Sequence, residues 1–162
     1  RAQWVLRSAY YRLGKTTGPD IELVDVVSRV GDEELEALVC LNEGAAAMRA
    51  ENLDSARILA DHAATIWRRM KRPNGMMMAR ALAITCGAQT DVTEVQNLAE
   101  LAIACKTSGL GIQVLALLGR AYPTMHTSWQ PAIRNFMNRV PMTNWDQRMD
   151  ILSIREAAAG VL

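Results

Sequence analysis

Apolar residues recur along most of the chain at steps of three and four, the spacing that places side chains on one face of an α-helix. The clearest stripe consists of Ala56, Leu59, Ala60, Ala63, Ile66, Trp67 and Met70. Asn52 or Asp54 is predicted to begin this helix, and Pro73-Asn74-Gly75 is predicted to end it. No segment predicts a β-strand with comparable strength, so the pattern predicts an all-α chain.

Capping residues set several of the predicted helix boundaries. Asp20 precedes a helix that Gly31 ends, and Asp91 with Glu94 has the spacing of a capping box. Further helices are predicted over residues 1–13 and from residue 143 onward.

Two boundaries depend on prolines. Because Pro73 stops the preceding helix, the next one is predicted to begin near Met76 and to end near Gln89. Ser128 is predicted to cap a later helix with Pro131 in its first turn, which leaves His126 in a loop.

One stretch combines a helical stripe with a residue that has no side chain. The stripe is Leu115, Leu118 and Tyr122. Gly119 lies beside it and allows a second helix to approach closely. Ala132 and Phe136, one turn apart on the following helix, are the small and large residues predicted to pack there.

This stretch resembles the tetratricopeptide repeat, whose signature is Trp-x-x-Leu-Gly-x-x-Tyr followed by Ala-x-x-x-Phe. Corresponding positions recur at Tyr10, Ala47, Cys86 and Tyr122, at intervals of roughly 36 to 39 residues against the 34 of the family. The resemblance implies a right-handed α-α superhelix, a TPR-like solenoid of about four helical hairpins plus a C-terminal helix. In a single domain, the units are predicted over 1–31, 32–73, 75–109 and 110–141, with the terminal helix over 143–162.

The resemblance also implies a binding groove, because the first helix of each hairpin lines the concave side in this family. The corresponding positions are Tyr11, Arg12, Leu41, Ala45, Met48, Arg49, Arg80, Ile84 and Arg120. The carboxylate-clamp pattern of Lys and Asn is absent. Since arginine suits carboxylates, the expected partner is a protein or peptide with acidic and apolar side chains. Alternatively, these arginines are solvated or pair with Glu43 and Glu51.

Composition narrows the range of partners. The 162 residues are 50% hydrophobic and carry a net charge of +1, which argues against a general binder of nucleic acid. No apolar run is long enough for a membrane span. The three cysteines have no metal-ligand spacing and are predicted to be core residues, so a cytoplasmic location is expected. The chain begins at Arg1, which favours a fragment of a longer protein, and exposed apolar ends would allow a homodimer.

The sequence predicts no catalytic, metal or cofactor site. His62 and His126 are far apart and have no paired ligand, and no Gly-rich phosphate loop follows a strand. Two surfaces carry secondary hypotheses. The basic run Arg68, Arg69, Lys71 and Arg72 either contacts phosphate or acidic lipid, or is a solvated helix end. Residues 76–78, all methionine, form either an adaptable contact surface or a partly buried helix start.

These features predict a non-enzymatic protein- or peptide-binding module of a larger regulator or scaffold. One alternative is an effector- or peptide-sensing domain of a bacterial signalling or transcription regulator. A second alternative is a secretion-type chaperone.

Overall fold

The computed structural model describes residues 18–140 and Ala157. Residues 18–140 form seven α-helices and no strand, which confirms the all-α prediction for this part of the chain. The helices are α1 (Ile21–Val30), α2 (Glu33–Arg49), α3 (Leu53–Arg69), α4 (Pro73–Thr85), α5 (Val92–Ile103), α6 (Ser108–Ala121) and α7 (Pro123–Met137). None of them is long and apolar enough to cross a membrane. The helices predicted over 1–13 and from 143 onward lie outside the described residues, apart from Ala157.

Short polar side chains begin four of the helices. The carboxylate of Asp20 accepts a hydrogen bond from the amide of Leu23 at 3.0 Å, and Asp91 accepts one from Glu94 at 2.7 Å. Asp32 and Asn52 cap α2 and α3 in the same way. These bonds satisfy amide groups that have no partner within their helix. The predicted caps at Asp20 and Asp91 are therefore confirmed, and of the two residues predicted to begin α3, Asn52 and Asp54, the cap is Asn52.

Helices α2, α3 and α4 end in the same type of turn. After α2, the amide of Asn52 donates to the carbonyl of Ala47 at 3.0 Å, and after α3, the amide of Arg72 donates to the carbonyl of Trp67 at 2.9 Å. Such bonds define the Schellman motif, which needs a left-handed residue just after the helix. Gly87 takes that position after α4, but Glu51 and Lys71 take it after α2 and α3, with φ of 60° and 57°.

Both proline-dependent boundaries were predicted wrongly. Pro73 is the first residue of α4, so this helix begins a turn earlier than predicted. Pro123 likewise begins α7 directly after Tyr122, which places His126 within a helix. A proline fits the first helical position because its missing amide hydrogen has no partner there anyway.

Ser128 consequently does not cap a helix. Its hydroxyl donates to the carbonyl of Met125 at 2.7 Å, within α7, and Pro131 lies in the helix interior.

Within residues 18–140, each helix packs mainly against helices that are next, or next but one, in the chain. The buried positions of α2, α4 and α6 cover most of each helix, and in α6 every residue from Gly111 to Gly119 is buried. In α3, α5 and α7 the buried residues form one stripe. The even-numbered helices are therefore inner helices, and the core lies along them. Ala157 is buried in the same core.

Close approaches between helices occur at glycines. A Cβ atom at Gly44 would lie 3.3 Å from the carbonyl oxygen of Ala56, so α2 and α3 nearly touch there. Gly119 does allow a close approach, as predicted, but the side chain above it is His126. Phe136 instead packs on Gly111, two turns earlier in α6. The difference follows from the direct turn at Pro123, which shifts the pairing of α6 with α7.

Candidate functional site

The structure distributes the predicted groove residues over several environments. Leu41, Ala45 and Ile84 are buried, with exposed fractions of 5%, 0% and 4%. A partner could contact them only if the core opened. Tyr11 and Arg12 lie outside the described residues.

The remaining four groove candidates differ in exposure. Met48 and Arg49 are half-buried at the end of α2, and Arg120 is exposed in the last turn of α6. Arg80, the fourth of these, is committed to contacts within the chain.

Arg80 joins three parts of the fold through its guanidinium group. Its Nε and one terminal nitrogen donate to the two carboxylate oxygens of Glu94 at 2.6 and 2.9 Å. The other terminal nitrogen donates to Asp61 at 2.9 Å, and the carbonyl of Gln89 accepts a further bond at 2.6 Å. The side chain is only 14% exposed. Arg80 therefore ties α4 to α3 and to the start of α5.

The same contacts change the acidity of Glu94. Hydrogen bonds from Arg80 lower the pKa of Glu94 from its ordinary 4.5 to about 2, and they outweigh the opposite effect of partial burial. The hydroxyl of Thr90 adds a bond of 2.7 Å to this carboxylate. Glu94 thus accepts from Arg80 and Thr90, and its charged form is stabilised by the fold. The arginine was predicted to pair, if at all, with Glu43 or Glu51; its partners are Asp61 and Glu94.

A different group of cations is available for binding, at the turn between α3 and α4. A cleft of about 290 Å³ opens there. It is lined by Trp67, Arg68, Lys71, Arg72, Pro73 and Met76, and is called the basic cleft below. The Schellman turn places Lys71 and Arg72 at its rim.

Packing at this turn fixes the apolar part of the basic cleft. The indole of Trp67 lies so close over Gly75 that a Cβ atom there would come within 2.4 Å of the ring. Any larger residue at position 75 would push the indole away. The first turn of α4 therefore holds Trp67 in place, with Met76 beside it in the cleft.

The charges around the basic cleft are strongly one-sided. No acidic residue occurs between His62 and Thr90 in the sequence. Arg69 pairs with Glu33 at 2.7 Å, outside the cleft. Among the residues that the structure describes, the side chains of Lys71 and Arg72 form no ion pair or hydrogen bond. Two free cations therefore stand beside an apolar wall.

A second cleft, of about 380 Å³, lies on the other side of Pro73. It separates the start of α4 from the end of α5 and is called the wedge below. Its lining residues are Pro73, Asn74, Met77, Leu101, Ala104, Cys105, Lys106 and Thr107. The wedge is mainly apolar and carries one lysine and one thiol.

Neither cleft has the groups that metal binding would need. Within 18–140 and at Ala157, no three His, Cys, Asp or Glu side chains cluster closely enough to hold a metal ion. Cys40 and Cys86 are buried, and burial raises the pKa of their thiols to about 12 and about 11. What these clefts can do chemically is bind groups that are partly apolar and partly anionic.

Comparison of the chain with protein-family models, with curated proteins and with solved structures finds no match in any of the three.

Sequence reasoning identified part of this site. It singled out the basic run and the three methionines, but it did not join Lys71 and Arg72 to Trp67. The sequence offered a signal, because an aromatic residue precedes four basic residues and a proline that starts a helix. The wedge had no such signal, since it depends on how far α5 stands from α4.

Proposed function

We propose that this chain is a non-enzymatic protein- or peptide-binding module of a larger regulator or scaffold. Its ligand is a segment with acidic and apolar side chains, which binds at the basic cleft. The observation that carries the proposal is the pair of free cations, Lys71 and Arg72, beside the apolar surface of Trp67. A carboxylate would pair with the cations while a neighbouring apolar side chain covered the indole edge and Met76.

The partner chemistry is the one expected from the sequence, but the proposed place is different. The predicted groove relied on Arg49 and Arg80, and Arg80 already binds Asp61 and Glu94. Arg72 has no such partner among the described residues and lies at the surface. An incoming carboxylate would not have to displace an internal one.

We also propose that the chain is a TPR-like repeat with a right-handed superhelical arrangement. Three observations support this. Within residues 18–140 the main contacts join helices close in the chain, inner and outer helices alternate, and glycines allow close approach in two of the hairpins. Repeat proteins bury their apolar faces in this stepwise way.

A charge-reversal experiment tests the binding proposal. The probe is an array of immobilised synthetic peptides in which Asp or Glu neighbours Leu, Ile, Phe or Met, with lysine-substituted copies of each. We expect the purified chain to retain acidic–apolar peptides and to lose them on Arg72→Glu. Because Arg72 precedes the first turn of α4, a glutamate there complements the helix dipole and should not unfold the protein.

The matched control is Arg29→Glu, which reverses an exposed charge at the end of α1. It should leave peptide retention unchanged. Equal losses in both variants would show a general charge effect and would overturn the proposal. Retention of the lysine-substituted peptides would do the same.

The effector-sensing alternative is favoured by one specific observation, the wedge between α4 and α5. A ligand there would contact two helices that otherwise touch little.

A further inference from the structure

The hairpin of α4 and α5 is closed at one end and open at the other. Near the connecting loop, Arg80 binds both Glu94 and the carbonyl of Gln89, which holds the two helices together. At the far end, Met77 faces Leu101 across the wedge. α4 packs mainly against α3 and α6, and only weakly against α5. The wedge therefore results from two helices that diverge from a fixed point.

The walls of the wedge are mainly apolar. Leu101 provides most of the flexible apolar surface, Met77 on the opposite helix is 3% exposed, and Ala104 leaves room because its side chain is small. Leu101 is 52% exposed. A ligand that covered it would remove apolar surface from water, which is favourable.

The rim of the wedge is positive. Lys106 lines it and forms no ion pair with any residue in 18–140. No carboxylate lines the wedge. An anionic group would therefore be attracted, whereas an ammonium group would be repelled.

We propose that the wedge binds a small amphipathic carboxylate, with its hydrocarbon part between Met77 and Leu101 and its carboxylate at Lys106. The volume of about 380 Å³ lies at the lower end of the range of small-molecule pockets, so the ligand is a short-chain molecule and not a bulky cofactor. This site is separate from peptide binding at the basic cleft and does not depend on it. Filling the wedge would stiffen the open end of the hairpin.

The reactivity of Cys105 can report directly whether a ligand occupies the wedge. Cys105 lines the wedge and is partly exposed, whereas Cys40 and Cys86 are buried. N-Ethylmaleimide should therefore modify Cys105 first in the folded protein. The measurement is the rate of this reaction, followed by mass spectrometry of the intact chain and of its peptides.

Three probes with the same chain length separate the contributions: octanoate, 1-octanol and octylammonium. Octanoate at ten times its dissociation constant should slow alkylation about tenfold, because only unoccupied molecules react. 1-Octanol should protect less, and octylammonium least. Equal protection by all three would overturn the anionic part of the proposal, and no protection by octanoate at saturation would overturn all of it.

Two variants test the assigned residues. Lys106→Glu should reduce octanoate protection below that of 1-octanol, because the glutamate would repel the carboxylate, each rate being compared with the same variant without ligand. Ala104→Leu should fill the wedge and abolish the rise in thermal unfolding temperature that octanoate gives the unsubstituted protein. Unchanged octanoate protection in Lys106→Glu would contradict the role of the lysine. An undiminished rise in unfolding temperature in Ala104→Leu would show that octanoate binds elsewhere.

Failure here can be told apart from failure of the peptide proposal. Octanoate binding is expected to depend on Lys106 and is followed at Cys105, whereas retention on the peptide array is expected to depend on Arg72. Arg72→Glu should leave octanoate protection of Cys105 largely intact, and Ala104→Leu should leave peptide retention intact.

Discussion

Two hairpins of the same chain pack in opposite ways. In the hairpin of α2 and α3 the helices approach so closely that a Cβ atom at Gly44 would lie 3.3 to 3.5 Å from backbone atoms of Ala56 and Ala60. Small residues continue this contact along both helices, and the alanines there are fully or almost fully buried.

The hairpin of α4 and α5 has larger residues where its helices diverge. Met77 and Leu101 stand at the open end, and a polar tie from Arg80 to Glu94 holds the other end. The comparison shows how side-chain size decides between a packed interface and a binding cleft. Small residues let two helices meet, while large residues held apart leave an apolar space.

The largest effect is expected from overfilling the tight hairpin. Gly44→Leu should destabilise the protein by about 3 kcal/mol, because no space exists beside Ala56 and Leu59. The matched substitution in the open hairpin, Ala104→Leu, enters the wedge and should change stability by less than about 0.5 kcal/mol. Urea denaturation of both variants measures this difference. Similar losses in the two would show that the hairpins do not differ in packing.

The next largest effect is expected from removing the ion pairs of Arg80, which join α4 to α5 and α3. Arg80→Met should cost about 1 to 2 kcal/mol, because it leaves the carboxylates of Asp61 and Glu94 without their shared partner. The expected loss of stability is small because the side chains of Asp61 and Glu94 are 41% and 34% exposed, so solvent screens their charges.

The control for this variant is Arg69→Met. Its ion pair with Glu33 is 62% and 46% exposed, so its loss should change stability by less than about 0.5 kcal/mol. Chemical denaturation of both variants at neutral pH gives the comparison. If Arg69→Met lowered the free energy of unfolding as much as Arg80→Met, the ion pairs of Arg80 would have no special role in the hairpin.

A smaller effect is expected on acidification. The folded state lowers the pKa of Glu94 from 4.5 to about 2, so its carboxylate stabilises the fold above pH 4.5. That contribution should be lost progressively as the pH falls from 4.5 to about 2. Glu94→Gln lacks this carboxylate, so the stability difference between the two proteins should shrink over the same interval. The midpoints of urea denaturation of both proteins, measured across this pH interval, give the stability difference. A difference that did not change with pH would contradict the lowered pKa of Glu94.

The sequence predicted the helices better than the sites between them. Helix identity follows from local spacing, and the caps at Asp20, Asn52 and Asp91 follow from local polar groups, so both were accessible. Prolines were misread because Pro73 and Pro123 can end one helix or begin the next, and only the neighbouring turn decides which. The burial of Leu41 and Ile84 depends on how neighbouring helices pack around them, which periodicity alone does not reveal.

The pairing of Arg80 illustrates the same limit. Its partners Asp61 and Glu94 are far from it along the chain, and nothing local distinguished them from Glu43 or Glu51. Conversely, Lys71 and Arg72 were recognised as a basic run, but their position beside Trp67 required the turn between α3 and α4.

The central claim, that the basic cleft binds acidic–apolar peptides, is tested most directly by two glycine variants. Lys71 and Glu51 occupy equivalent left-handed positions after α3 and α2, with φ of 57° and 60°, so glycine relieves the same backbone strain at either. Fluorescence anisotropy then gives the dissociation constant of a labelled peptide selected on the array. We predict about fivefold weaker binding for Lys71→Gly, since one rim charge contributes about 1 kcal/mol, and unchanged binding for Glu51→Gly. Equal affinities of Lys71→Gly, Glu51→Gly and the unsubstituted protein would contradict the claim.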